Sequence, residues 1–510
     1  MYTVRFQLKL NASEKRFLSK SFFYANQIHN QIARHAMNRL NALFHDKEYM
    51  DARKAYGEAE FSKKGASELS ASEKKKKKEL SNIMCMKQKE YKLTKGALYK
   101  FVSKEQKKYK NYINSHQAQA EADAVYNGIE KVLFEDGCHL HYRRYNSFDC
   151  IKQKCAATGV KLPRWDVICF MKHYFKVRVP EDEYIQSILS SSDLKKDVVY
   201  TFLKRIEFNS GFKYYVVITL RGNAPKRIEL SEDSGYRTGV DFGTSTIATV
   251  SNNEVHLDEL APNSARYEKE IRHKQNLVDT SMRKHNPENY NKNGTVKKGK
   301  HKWKTTKRCK RLKRQIRVLY RKQTAYIKAS HHTFINKVIQ STSEFILEPM
   351  DFKALQKKLK KTERQDEAVP VKQKDGSSKM VCKYKRKKRY GHSIKNRSSG
   401  LMQVDLKLKA TQYGIPYYEI DIHQYRASQL HHDTGEYSKP ALNERFKTIE
   451  GHQVQRDLYS AFLICHTDGT LTVPDFKACH LDFPHFVEMQ DTLILNMKKC
   501  GRTMKSCFGF

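Results

Sequence analysis

The chain has 510 residues, 97 of them Lys or Arg against 55 Asp or Glu, for a formal net charge of +42. Its length predicts roughly three domains. Its 39% hydrophobic content suffices for packed cores, yet no run of about 18 apolar residues occurs, so no membrane span is expected. A charge this large calls for polyanions, because each neutralised phosphate releases condensed counterions, and its size suits two nucleic-acid partners or one large RNA. The 11 cysteines are scattered with no CxxC pair, and the start of the chain has no apolar leader core. Together these predict a reduced, cytoplasmic protein with neither a disulfide framework nor a thiolate zinc site.

Val4, Phe6, Leu8 and Leu10 alternate with Thr3, Arg5, Gln7 and Lys9, which predicts a half-buried strand. Asn11 or Ser13 then caps a helix, and apolar residues at Leu18, Phe22, Ile28, Ile32, Leu40 and Leu43 carry it to about residue 44. The texture stays helical and polar to about residue 130. The lysine run at 74–78 within it reads as a solvated or disordered turn. After Gly137 the pattern turns to strands at 139–142 and 174–179, followed by a hairpin of 200–208 and 212–220 around Asn209-Ser-Gly211. The reading is a β-barrel-like module, residues 1–10 and 135–228, interrupted by a helical insertion at 11–134. Residues 229–236 read as a linker, and 237–250 as a strand, a turn and a second strand.

Residues 297–322 hold 14 Lys or Arg and no acid. Cys309, Leu312, Ile316 and Leu319 recur there at helical spacing, continued by Ile327, Phe334 and Val338. This predicts a long helix with one buried stripe and a cationic face that meets a phosphate backbone through Lys304, Lys307, Arg308, Lys310, Arg311 and Arg314. Residues 361–395 have few apolar anchors and read as a mobile segment whose basic end contributes Lys385, Arg386 and Lys387 to nucleic-acid contact. Arg397 and Arg456 complete the expected contacts.

Three carboxylates stand out. Asp241 lies in Gly239-Val-Asp241-Phe-Gly-Thr-Ser245, where an aspartate on a sheet-like segment needs a nearby cation. Gly243 lets the backbone approach a ligand there. Glu348 ends the apolar run Phe345-Ile-Leu-Glu348, and Pro349 stops the sheet ladder after it. Asp457 opens a helical pattern of Leu458, Ala461, Phe462 and Ile464, with Ser460 and Ala461 small enough to let the helix pack closely on a sheet. Singly, each has a bland reading as a turn aspartate, a surface acid or a helix N-terminal charge. Jointly, strand, strand and helix can converge on Mg²⁺ for phosphodiester cleavage.

The segments around Asp241, Glu348 and Asp457 resemble the three RuvC motifs of the TnpB family and its relatives, the type V CRISPR effectors. The likeness extends to the first helix, where Phe22-Phe-Tyr-Ala-Asn-Gln-Ile28 is similar to the family's. It implies a bilobed multidomain protein of α/β, β-barrel and helical parts. Residues 1–10 and 135–228 would form a wedge β-barrel around a recognition insertion. Residues 237–510 would form a RuvC domain of RNase H-like fold, with a basic helical insertion at about 265–340 and a nuclease-lobe insertion at about 421–453. The implied activity is RNA-guided DNA cleavage. Two Mg²⁺ ions, for which Mn²⁺ substitutes, would be held by Asp241, Glu348 and Asp457 in a single site. The implied partners are a guide RNA and double-stranded target DNA, recognised beside a short motif and then by base pairing. Many family members carry a four-cysteine zinc ribbon between the second and third motifs. Here residues 421–456 contain no cysteine; His423, His431, His432 and Asp433 lack thiolate company, so zinc is not expected. Gly239-Val-Asp241-Phe-Gly-Thr-Ser also resembles the first phosphate loop of actin-like and Hsp70-like ATPases, but no second phosphate loop or adenosine motif follows. A guided binder without cleavage and a strand-transferring transposase are the remaining alternatives.

Overall fold

The alternating N-terminal residues form strand β1 (Tyr2–Lys9), and Asn11 caps the helix after it. The computed structural model describes residues 1–59, 70–135, 137–154, 159–231, 235–356, 364–372, 378–384, 391–441 and 443–510. The chain divides into two compact units, Met1–Pro225 and Lys226–Phe510. Among the described residues no helix is long and apolar enough to cross a membrane.

In the first unit, α1 (Ala12–Leu43) begins with a reciprocal cap. The Asn11 side chain accepts from the Glu14 N–H at 2.9 Å, and the Asn11 N–H donates to the Glu14 carboxylate at 2.8 Å. Helices α2 (Lys47–Glu58), α3 (Ala71–Glu90), α4 (Lys95–Gln106) and α5 (Ser115–Phe134) follow. The lysine run at 74–78 is part of α3, not a turn. Ser70 and Glu73 form a capping box there, and straight-chain lysines are good helix formers when they face water. The chain then adds β2 (Cys150–Ile151), β3 (Lys161–Arg164), β4 (Val167–Phe170), β5 (His173–Arg178), α6 (Glu183–Ser191), β6 (Val198–Phe208) and β7 (Gly211–Leu220). All seven strands form one antiparallel sheet in the order β2-β6-β7-β1-β5-β4-β3. The first strand therefore pairs with strands more than a hundred residues later in the chain. Among the described residues no pairing joins the end strands β2 and β3. The strand expected at 139–142 does not form. The backbone of Arg143 is held by α1 instead: the Asn26 and Asn30 amides donate to its carbonyl, and its N–H donates to Asn30. The apolar stripe of α1, including Leu18, Phe22, Ile28, Ile32 and Leu40, is buried in the core of this unit with Val216 and Ile218 of β7.

The second unit starts with β8 (Tyr236–Phe242), β9 (Thr246–Val250) and β10 (Val255–Glu259), then α7 (Ser264–His285) and α8 (Lys307–Val338). Thr306 caps α8, so residues 297–306 lie outside the helix that the basic run was expected to form. Cys309, Leu312, Leu319, Ile327 and Val338 are its buried stripe. Next come β11 (Thr342–Leu347), α9 (Phe352–Gln356), and a hairpin of β12 (Arg364–Lys372) with β13 (Ser378–Tyr384). Of the segment at 361–395, residues 364–372 and 378–384 pair as this hairpin and residues 391–395 belong to the next helix. Residues α10 (Gly391–Arg397), α11 (Ser399–Tyr413), β14 (Tyr417–Glu419), a second hairpin of β15 (Phe446–Ile449) with β16 (His452–Gln455), α12 (Arg456–Cys465) and α13 (Phe476–Lys499) complete the unit.

The central sheet runs β10-β9-β8-β11-β14. β9 is antiparallel to β8 and β10, whereas β11 is parallel to β8 and β14. Successive side chains of a strand face opposite sides. Val240, Phe242, Phe345 and Leu347 face a core built with Ile335 and Val338 of α8 and Met402 and Leu406 of α11. Ala248, Val250 and Ile346 face the other core, built with Leu458, Phe462 and Phe483 of α12 and α13. Coverage on both faces explains why β9 is buried along its whole length.

Candidate functional site

Two rules of strand geometry bring Asp241 and Glu348 together. β8 and β11 run parallel with Val240 opposite Leu347, and the Glu348 N–H donates to the Val240 carbonyl at 3.2 Å. Asp241 lies two residues beyond Gly239, and Glu348 two beyond Ile346, so both acids project from the face that α12 covers. The helix comes unusually close. A Cβ added at Gly239 would collide with the Ala461 carbonyl and the Cys465 backbone. Ala461 is one helical turn after Asp457, so the contact that requires glycine also delivers Asp457 to the end of β8 where Asp241 stands. Gln455 caps α12 by accepting the Leu458 N–H at 2.8 Å, which fixes the first turn that carries Asp457.

The electrostatics are those of crowded acids. Burial, then the charges of Glu348 and Asp457, hold the Asp241 carboxyl well above the ordinary range, against a smaller pull from Arg456. Burial, then Asp457, pushes Glu348 up to about 6. Burial also raises Asp457, opposed by Arg456 and Arg445. Arg456 Nε lies 3.6 Å and Arg445 Nη1 3.8 Å from Asp457 Oδ1. Arg456 also donates to the carbonyls of Ala441 and Glu444, and its N–H to that of Arg445. The two arginines therefore steady one acid, and among the described residues no cation pairs with the other two, a setting in which divalent ions fit. Among the described residues, the group of potential ligands whose donor atoms all lie within 4.8 Å of one another is a different one, His432, Glu450 and His480.

The remaining expected residues sort by environment. Lys304, Lys307, Arg308, Lys310, Arg311 and Arg314 are all exposed on or just before α8. Arg397 is engaged within the unit: it pairs with Glu259, and its carbonyl accepts from His331 Nε2 at 2.9 Å. Arg456 is at the carboxylates and is one-eighth exposed, not an open cationic surface. Lys385, Arg386 and Lys387 lie outside the described residues. Gly239 and Arg445 were not foreseen. Gly239 carried a signal, a small residue two positions before the acid, whereas Arg445 depends on a hairpin that no periodicity announced.

No family model matches the chain, and no curated protein matches it. Solved structures similar to it include the cryo-EM structure of a Cas12f1–sgRNA–target DNA complex, at 12% identity and a TM-score of 0.40, covering 91% of this chain and 98% of that one. Another is the cryo-EM structure of a CRISPR-Cas12f ternary complex, at 10% identity and a TM-score of 0.28, covering 93% of this chain and all of that one.

Proposed function

We propose that this chain is an RNA-guided DNA endonuclease whose second unit is an RNase H-like RuvC domain cutting phosphodiester bonds at Asp241, Glu348 and Asp457. The observation that carries the reading is the convergence of these three acids, from strand, strand and helix, in a protein of net charge +42. Asp241, Glu348 and Asp457 would hold two Mg²⁺ ions, which when bound activate a water and stabilise the leaving oxygen of the scissile phosphodiester. Arg445 and Arg456 hold Asp457 in place, so that its carboxylate stays presented toward Asp241. The cationic face of α8 engages the sugar-phosphate backbone. The first unit, a wedge with a helical recognition insertion, holds guide RNA and reads the motif beside the target, and pairing between guide and DNA supplies most of the specificity.

The test is to express the chain with its native flanking DNA, purify it, and sequence the RNA that accompanies it. A discrete RNA with a constant scaffold and one variable end is expected. Heterogeneous host RNA, or none, would contradict guided targeting.

A further inference from the structure

We propose that His432, Glu450 and His480 form a second metal site, distinct from the carboxylate trio, that takes zinc and clips the β15–β16 hairpin to α13. The three donor atoms lie within 4.8 Å of one another. Glu450 Oε1 is 3.3 Å from His432 Nε2 and 2.6 Å from His480 Nδ1, and the two imidazole rings are 4.9 Å apart. Ligands around a tetrahedral zinc at about 2.0–2.2 Å are separated by roughly 3.3 Å, the spacing of His432 and Glu450, and the exposed His480 side chain is the one with room to adjust.

His432 gives the site its buried anchor. Its side chain is fully buried among Tyr459, Phe462 and Phe483, yet its Nε2 has no hydrogen-bond partner among the described residues. An orphaned nitrogen in such a setting is costly unless something else satisfies it. The other ring nitrogen, Nδ1, is 2.8 Å from the Tyr459 hydroxyl, which also accepts the His432 N–H at 3.0 Å. In the tautomer that donates from Nδ1 to Tyr459, Nε2 keeps a free lone pair 3.3 Å from the Glu450 carboxylate, and an outer hydroxyl of this kind orients a metal-bound imidazole.

Glu450 sits at a position that its backbone disfavours. It occupies the first place of the two-residue turn between β15 and β16 at φ +46°, followed by Gly451 at φ +79°. Such turns favour Asn or Gly at that place, so a glutamate there runs against local preference. Two imidazoles and one carboxylate are a zinc donor set that leaves a fourth position for water. The hairpin so clipped runs directly into Arg456 and Asp457, which gives the site a supporting role for the end of α12. His480 lies beyond Asp457 in the chain, outside the interval 421–456 that holds His423, His431, His432 and Asp433.

The experiment is to strip the full-length protein with chelator, add zinc or Co²⁺, remove the excess, and measure bound metal and the visible Co²⁺ spectrum. The set comprises the wild type, Glu450→Gln, His480→Ala and Asp241→Asn. About one equivalent of tightly bound zinc with a low-coordinate Co²⁺ spectrum is expected in the wild type and in Asp241→Asn. The Glu450→Gln and His480→Ala proteins should bind at least ~10-fold more weakly. Zinc that persists undiminished in both, that vanishes in Asp241→Asn, or that never binds the wild type would overturn the proposal. Each of those results is independent of whether the protein cuts DNA.

Discussion

Asp241 and Glu348 lie on neighbouring parallel strands, among the described residues with no arginine paired to either, and the proposed function makes that arrangement decide both chemistry and stability. Replacing Asp241 with Asn, Glu348 with Gln or Asp457 with Asn should lower DNA cutting at least ~100-fold while RNA binding persists, because a lost ligand misplaces the metals but RNA is held elsewhere. Assays of the three purified variants decide this, and retention of more than a few per cent of activity in any of them would remove that residue from the site. The same carboxylates destabilise the metal-free fold. Glu348 has its folded value raised from 4.5 to about 6, so above its unfolded value the unfolded chain releases the proton more readily. Stability in chelator should therefore fall as pH rises from about 4.5 through about 6 and stay low beyond. At pH above that window Glu348→Gln should be more stable than wild type by on the order of 1–2 kcal/mol, and Mg²⁺ should raise the melting temperature of the wild type more than that of the variant. A less stable variant in chelator would show that the acid is paired rather than strained. The local settings of the three acids could be read in the sequence, since Asp241 and Glu348 interrupt or end apolar runs and Asp457 opens a helical one. Arg445 was not, since its place beside Asp457 comes from tertiary pairing alone.

Single elements carry the next layer. Helix α12 reaches β8 only because Gly239 has no side chain. Gly239→Ala should force the helix away, costing about 1–3 kcal/mol of stability by overpacking and depressing cutting well beyond what that loss of stability explains. Thermal denaturation beside a cleavage assay checks this; a stable, fully active variant would mean that the helix does not set the position of Asp457. On α8, the exposed Lys307, Arg308, Arg311 and Arg314 predict a second result. Their replacement by Ala should lower the slope of log affinity against log salt for nucleic acid by up to about 0.9 per lost contact with duplex DNA. An unchanged slope would mean that this face meets only solvent. The β6–β7 hairpin could be read from sequence because Asn209-Ser-Gly211 marks its turn between two alternating runs. The segment at 139–142 misled because a locally strand-like pattern found helix side chains instead of a partner strand. The lysine run misled for the opposite reason, since charge repetition says nothing against a well-capped helix.

At the scale of the whole molecule, the chain places a seven-stranded antiparallel sheet and five N-terminal helices in one unit, and a mixed sheet with the carboxylates in the other. The return of the chain to β1 after the helices was visible because an isolated half-buried first strand needs partners, and the later β-rich stretch was the nearest source of them. The order of the strands was not, because register and pairing depend on burial that a single sequence does not display. The central claim is that the trio in the second unit cuts DNA selected by an RNA. The most direct measurement incubates the purified ribonucleoprotein with duplex DNA that matches the variable end of its own RNA beside a randomised flank. Mg²⁺-dependent cutting of the matched duplex by wild type, enriched for one short flanking motif and absent with Asp241→Asn, is the predicted result. Equal cutting of matched and unmatched duplexes, or cutting that survives Asp241→Asn, would contradict the account.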